Sequence, residues 1–288
     1  MKNLVIYNDS QYFYYISKII YNMFKPYFQS NDSMKIIYYE YLGETNNNYL
    51  FLDDELYLLF VPPKKLFSMP KNYIVYNFEQ FTTDKQWSSH YIDFLKNAIY
   101  VIDYSIKNII KFEDYNINTY YLPHTPNGSY RHKNLDNINK DIDVLFIGNM
   151  NKRRSKWLNK LVVSHKDYKL KIVNKTFFEE SIEYLARSKI VVNIHYYEGD
   201  TILEVSRIIP ALENNCLVIS EKSDDDIYNI IYKDIIDISE EDELNNNIEK
   251  TLNDYDNKLN KMKNNLKNIS FQIIANNIID LIDIIKKI

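Results

Sequence analysis

Residues 189–221, KIVVNIHYYEGDTILEVSRIIPALENNCLVISE, constrain the fold more than any other stretch of the chain. The run at 189–194 is rich in β-branched residues and reads as a buried parallel strand. His195, Tyr196, Tyr197 and Glu198 follow at its carboxyl end. Gly199, Asp200 and Thr201 are turn residues, and Asp200 or Thr201 can cap a helix. From Ile202 the pattern is helical, with Val205, Ile208, Ile209 and Leu212 at i, i+3, i+4 and i+7. Residues 216–220 read as a second buried strand. The stretch is therefore a βαβ unit. Its polar residues fall beyond the carboxyl ends of the strands, where open α/β sheets bind ligands.

Glu204 and Arg207 are three apart on the expected helix and share a face. A carboxylate can hold two sugar hydroxyls, and a guanidinium can hold phosphate oxygens through two charge-assisted bonds. The same spacing also describes an ordinary surface ion pair, worth a few tenths of a kcal/mol. Pro210 removes a helix hydrogen bond and is expected to kink or end the helix near Ile209.

With 288 residues, 45% of them hydrophobic, the chain can fill the core of one large or two modest domains. The excess of Asn, Ile, Lys and Tyr is that of an AT-rich genome, as in some giant viruses and low-GC bacteria. The 27 tyrosines therefore need not mark a binding surface. A net charge of −4 and the lack of a basic stripe argue against a nucleic-acid partner. Cys216, the single cysteine, excludes an internal disulfide and falls on an expected core strand. The histidines at 90, 124, 132, 165 and 195 show no metal-ligand spacing, so no metal site is expected. Asp224, Asp225 and Asp226 read as a solvated helix cap rather than a metal motif. No leader and no transmembrane segment of about 18 apolar residues is apparent, so a soluble cytoplasmic protein is expected, in the host cytoplasm if viral.

Further strands are expected at 3–7, 35–39, 55–61, 72–77, 99–102, 119–122, 143–147 and 170–173. Helices are expected at 11–28, 87–98, 106–112, 153–163, 177–188, 240–269 and 270–288. This alternation favours parallel sheets. The turn after the first strand lacks the glycines of a dinucleotide fingerprint, so no NAD or FAD cofactor is expected. Residues 123–140 hold two prolines, a glycine and several asparagines, and mark a domain boundary. The expected division is 1–125, a linker at 126–140, 141–269, and a final helix at 270–288. Gly148 and Asn149 lie between a strand and a helix, where a phosphate can approach the backbone. Arg153 and Arg154 lie in the first turn of that helix. Cations there oppose the helix dipole unless an anion is near, which points to an anion site as readily as to solvated arginines.

Several motifs occur together and in order: DVLFIGNMNKRRSKWLNKL at 143–161, NIHYYE at 193–198, LEVSRI at 203–208 and VISE at 218–221. With YNFEQF at 76–81, VIDYSIKNI at 101–109 and YLPHTPN at 121–127, the chain resembles GT-B type glycosyltransferases of low-GC bacteria and giant viruses. The resemblance covers most of residues 72–221. It implies an α/β fold of two Rossmann-like domains facing each other across a cleft, the final helix returning to the amino-terminal domain. It further implies a nucleotide-sugar donor on the carboxyl-terminal domain and a glycan or protein hydroxyl acceptor on the amino-terminal one. Donor-binding roles are carried onto Gly148, Asn149, Arg153, His195, Tyr196, Glu198, Glu204 and Arg207. The Glu-x7-Glu motif of related enzymes is not clean, because Glu198 and Glu204 are six apart.

The implied reaction transfers a sugar to a hydroxyl without an essential metal. Arg153, Arg207 and helix N-termini would stabilise the leaving diphosphate. Glu79 and Asp103, each ending an expected strand, are candidates for the base, with caps or structural hydrogen bonds as the plainer roles. His195 is a further catalytic candidate on the donor side. Two other functions fit the same architecture: an inactive nucleotide-sugar-binding or partner-binding homologue, and a nucleotide-sugar epimerase-like enzyme.

Overall fold

The computed structural model describes residues 1–8, 10, 13–29, 32–39, 50–63, 69–81, 88–124, 126–164, 168–174, 176, 178–268 and 271–288. The expected helix starts at Gln11, Trp87, Phe177 and Ser270, the expected end at Ile269, and His165 lie outside these residues. The chain divides into two compact units. One contains Met1–Phe81, Lys85–Pro123 and Phe271–Ile288, and the other contains His124–Ser270.

The first unit holds β1 (Asn3–Tyr7), β2 (Lys35–Tyr39), β3 (Leu56–Leu59), β4 (Tyr73–Asn77), β5 (Val101–Asp103) and β6 (Thr119–Tyr121). They form one parallel sheet in the order β2-β1-β3-β4-β5-β6. Alternate residues of each strand serve opposite faces. Leu4 and Ile6 pack with Leu58, Ile74, Tyr76 and helix α1 (Tyr14–Phe24). Val5 and Tyr7 pack on the other face with Leu59, Val75 and helices α2 (Ser89–Lys96) and α3 (Ile106–Glu113). Covering both faces buries the central strands β3, β4 and β5 completely, as a parallel sheet requires, while the edge strands β2 and β6 stay partly exposed. Helix α10 (Phe271–Lys287) joins the first face through Ile278, Leu281, Ile282 and Ile285, spaced i, i+3, i+4, i+7.

The second unit holds β7 (Ile142–Ile147), β8 (Leu170–Val173), β9 (Ser188–Asn193), β10 (Leu217–Glu221) and β11 (Asp237–Ser239). Its parallel sheet has the order β11-β10-β9-β7-β8. The helices are α4 (Lys152–Ser164), α5 (Phe178–Ala186), α6 (Val205–Glu213), α7 (Asp226–Tyr232), α8 (Leu244–Asn253) and α9 (Tyr255–Asn268).

Several local differences from the sequence reading have simple causes. Helix α1 ends at Phe24 and a 3-10 turn follows over Lys25–Tyr27, because Pro26 has no amide to continue the ladder. Helix α6 begins at Val205, three residues later than its periodicity implies, because Ile202 and Leu203 are buried in the loop before it. It then runs through Pro210 to Glu213. The carbonyl left without a partner belongs to Ser206, which is exposed to solvent. Asp225 caps α7, accepting from the Tyr228 amide at 3.3 Å, but it is buried rather than solvated. The polar stretch after residue 240 is two helices, α8 and α9.

Residues 127–130, inside the expected linker, bind the α6 helix. The Glu213 carboxylate accepts the amides of Asn127, Gly128 and Tyr130 at 2.6, 2.8 and 2.6 Å. Burial still holds the Glu213 pKa above the ordinary carboxylate range, against the pull of these amides.

Candidate functional site: an arginine cluster at the switch point of the second sheet

Strand β7 has β8 on one side and β9 on the other, so the strand order of the second sheet reverses between β7 and β9. The crevice beyond such a reversal is where open α/β sheets bind ligands. Gly148 follows β7 there, and His195 and Tyr196 follow β9.

Gly148 has φ of 155°. A β-carbon at this position would stand 3.1 Å from Arg207 Nη2 and 3.2 Å from Arg154 Nη1. The bare α-carbon lets two guanidiniums approach the backbone. Asn151 fixes the start of α4, its Oδ1 accepting the Arg154 amide at 2.8 Å. That cap directs Arg153 and Arg154 to different partners.

Arg154 is 2% exposed. It donates to the carbonyls of Ile194 at 2.9 Å and Asn149 at 2.8 Å, and to Glu204 Oε1 at 3.0 Å. Its guanidinium lies between the rings of Phe146 and Tyr196, 5.6 and 5.2 Å from their centroids. Burial, then repulsion from Arg207, lowers its pKa to about 10, so it stays charged at neutral pH.

Arg207 donates to Glu204 Oε2 and to Asn193 Oδ1 through Nη1. Asn193 is held in turn by Ser220, its partner across the β9–β10 ladder, at 2.9 Å. Arg207 Nη2 makes no hydrogen bond among the described residues and faces the open side of Gly148. Glu204 thus gives one carboxylate oxygen to each arginine. Burial pushes its pKa up, but the neighbouring arginines, Arg207 first, outweigh burial and hold it below the ordinary value.

Arg153 pairs with Glu221 at the end of β10 through both terminal nitrogens, and its Nη1 also donates to the His195 carbonyl at 2.9 Å. Glu221 accepts the His195 amide at 3.0 Å. The loop after β9 is thereby clamped to α4 and β10. A second tie joins Thr201 to Asp224, with the amide of each accepted by the other at 2.9 and 3.0 Å. The His195 side chain is 1% exposed, and neither of its ring nitrogens has a hydrogen-bond partner among the described residues. An unsatisfied buried polar group costs about 1–3 kcal/mol.

Of the residues marked in the sequence, Gly148, Asn149, Arg153, His195, Tyr196, Glu204 and Arg207 come together here. Glu198 stands at the rim, with a side chain 78% exposed and 3.7 Å from Arg153 Nε. Tyr196 presents a ring 38% exposed beside it. Arg154, Glu221 and Asn193 join the site through the tertiary structure. The arginine doublet is the sequence signal for Arg154, and Glu221 and Asn193 carry none beyond their places at strand ends.

Glu79 and Asp103 lie at the carboxyl ends of β4 and β5 in the first unit. Asp103 is completely buried and accepts from Asn77 Nδ2 at 2.6 Å, the Ser105 amide at 2.7 Å and Asn108 Nδ2 at 3.0 Å. This is the bonding of a structural hub. Glu79 is half-buried, and its backbone is held by Asn77 and Asn108. No group of three or more potential metal ligands occurs among the described residues. Among them, no helix is long and apolar enough to cross a membrane.

Two units, each built on a parallel Rossmann-like sheet with covering helices, define the α/β fold of the GT-B type. Solved structures share it over nearly the whole chain. Sucrose-phosphate synthase from Thermosynechococcus elongatus has a TM-score of 0.58 and 10% identity, covering 99% of both chains. WaaG, a glycosyltransferase involved in lipopolysaccharide biosynthesis, has a TM-score of 0.54 and 10% identity, covering 98% of this chain and 99% of its own. A glycosyltransferase from Rickettsia africae ESF-5 has a TM-score of 0.50 at 10% identity, covering 99% and 97%. At this identity the likeness establishes the fold. No family model matches the chain, and no curated protein matches it.

Proposed function

We propose that the chain is a glycosyltransferase moving a sugar from a nucleoside-diphosphate donor to an acceptor hydroxyl, with no essential metal. The observation that carries this reading is Arg207 at the switch point. Its Nη2 is unpartnered among the described residues, and it lies against a glycine. Around it, Arg153, Arg154 and Arg207 face the carboxylates Glu204 and Glu221, with the exposed Glu198 3.7 Å from Arg153 at the rim. The open guanidinium nitrogen of Arg207, inside that rim, suits a diphosphate. The glycosyltransferase neighbours support the reading by analogy of fold.

In the proposed reaction the bond between the anomeric carbon and the diphosphate oxygen breaks, and the carbon bonds to the acceptor oxygen. The acceptor proton passes to a base, for which Glu79 is less enclosed than Asp103. Negative charge develops on the leaving diphosphate, and in this reading Arg207 and the N-terminus of α4 receive it. Glu198 at the rim is available to sugar hydroxyls, and the exposed Tyr196 ring to a flat base. Glu204 acts by holding two arginines rather than by touching sugar.

A second reading, binding of a nucleotide sugar without turnover, is favoured by the closure of Asp103 and Glu204, two carboxylates expected to meet substrate. A thermal-shift panel of nucleotides and nucleotide sugars, with and without a divalent ion, tests the donor site. A ligand at 100 times its Kd stabilises by about 2.7 kcal/mol. For a chain of this size that shifts Tm by roughly 2–4 °C. A shift confined to one nucleotide family and independent of metal is expected, and a flat panel would refute the donor site. Arg207→Ala should weaken that ligand by about 1.5–3 kcal/mol, the worth of a charge-assisted bond, in a folded protein. Transfer to an acceptor then separates the two readings.

A further inference from the structure

His195 has unused hydrogen-bonding capacity in an otherwise well-bonded cluster. Its backbone is fixed by Glu221 and Arg153, so the ring keeps its place. Neither ring nitrogen is open to solvent, so a ligand does not reach them in this arrangement. The polar atom within reach is Glu204 Oε2, 3.9 Å from His195 Nδ1. That is about 1 Å beyond a hydrogen bond. The same oxygen accepts from Arg207 Nη1, while Oε1 is held by Arg154 at 3.0 Å.

We propose that His195 is the alternate partner of Glu204: when Arg207 turns to an anionic ligand, Glu204 Oε2 passes to His195 Nδ1 and the imidazole takes up a proton from solvent. Arg154 keeps Oε1, so the carboxylate pivots and stays in the site. The charged groups around the ring are Glu204 at the N-cap of α6, Arg207 within that helix, Arg153 and Arg154 from α4, and Glu221 from β10. Histidine suits this exchange because its ordinary charge change falls between pH 5 and 8. His195 is then a positioning residue, keeping Glu204 paired after its first cation has left. The ligand half of this inference rests on the donor-site reading. The exchange itself does not, and it can be provoked without ligand.

The test is nitrogen-15 and proton NMR of the His195 ring in ligand-free wild type, Arg207→Met, and Arg207→Met with Glu204→Gln. Removing Arg207 should produce a slowly exchanging, hydrogen-bonded Nδ1 proton that wild type lacks. Its titration midpoint should rise by about one pH unit or more, a tenfold change in the protonation equilibrium. Loss of a nearby cation alone would move the midpoint but would not create that proton resonance. Adding Glu204→Gln should abolish the resonance. If the resonance is absent from Arg207→Met, or survives Glu204→Gln, the proposal is overturned. Arg207→Gln repeats the test if the methionine variant does not fold. Inorganic pyrophosphate added to wild type should produce the same resonance. Calorimetry in two buffers should then show proton uptake that His195→Phe lacks. Failure of pyrophosphate to bind counts against the donor site, and the ligand-free spectra still decide the exchange.

Discussion

The two units carry polar clusters at the same level, beyond the carboxyl ends of a parallel sheet, and the clusters differ in kind. In the first unit Asp103 ends β5 opposite Asn77 of β4, away from the reversal of strand order between β1 and β3. It is ringed by amide donors at 2.6–3.0 Å. In the second unit the cluster lies at the reversal itself, with three arginines, the carboxylates Glu204 and Glu221, Glu198 at the rim, and a histidine without hydrogen-bond partners among the described residues. A satisfied buried network fixes a structure. An unsatisfied one, with an open guanidinium nitrogen beside a glycine, is poised for something the chain does not supply. Burial and polarity alone would have ranked the clusters equally. The balance of donors, acceptors and charge separates them.

The largest effect should come from Glu204→Ala. It strands Arg154, and removing one partner of a buried ion pair costs about 3–5 kcal/mol, readable by urea unfolding. Asp103→Ala should come next, at about 1–3 kcal/mol, because the Ser105 amide loses its acceptor while the Asn77 and Asn108 side-chain amides keep the Glu79 carbonyl. The two variants should part company when millimolar pyrophosphate is added. The anion should restore part of the Glu204→Ala loss and none of the Asp103→Ala loss. Equal responses would remove the distinction between the clusters. Gly148→Ala should have the smallest effect on folding, about 1 kcal/mol from its positive φ. It should nonetheless weaken anion binding, since the added methyl displaces Arg207. Unchanged binding would mean that the approach of Arg207 to the backbone is incidental.

Much of the fold was legible in advance. Apolar runs such as 3–7, 143–147 and 189–194 are strands because nothing else buries consecutive β-branched residues so well. Strand β11 escaped notice because DIS is three residues long with two of them polar. The site was legible as a neighbourhood and less so in its roles. Glu204 and Arg207 were correctly paired by spacing, but their pair is buried and shared with Arg154, which helical geometry could not reveal. Arg153 and Arg154 are adjacent, yet one clamps Glu221 and the other lies under Tyr196. One residue of helical rotation, about 100°, sends neighbours to different partners.

The sequence by itself determined the βαβ alternation, the glycine after β7 and the residue types gathered at the strand ends, because these follow from local periodicity and turn chemistry. Only the tertiary structure decided which carboxylate meets which guanidinium, that Asp103 is closed while Arg207 keeps a free donor among the described residues, and that His195 is left unpaired. Those outcomes depend on distances of a few ångströms between segments 26 to 68 residues apart, which packing fixes and composition does not.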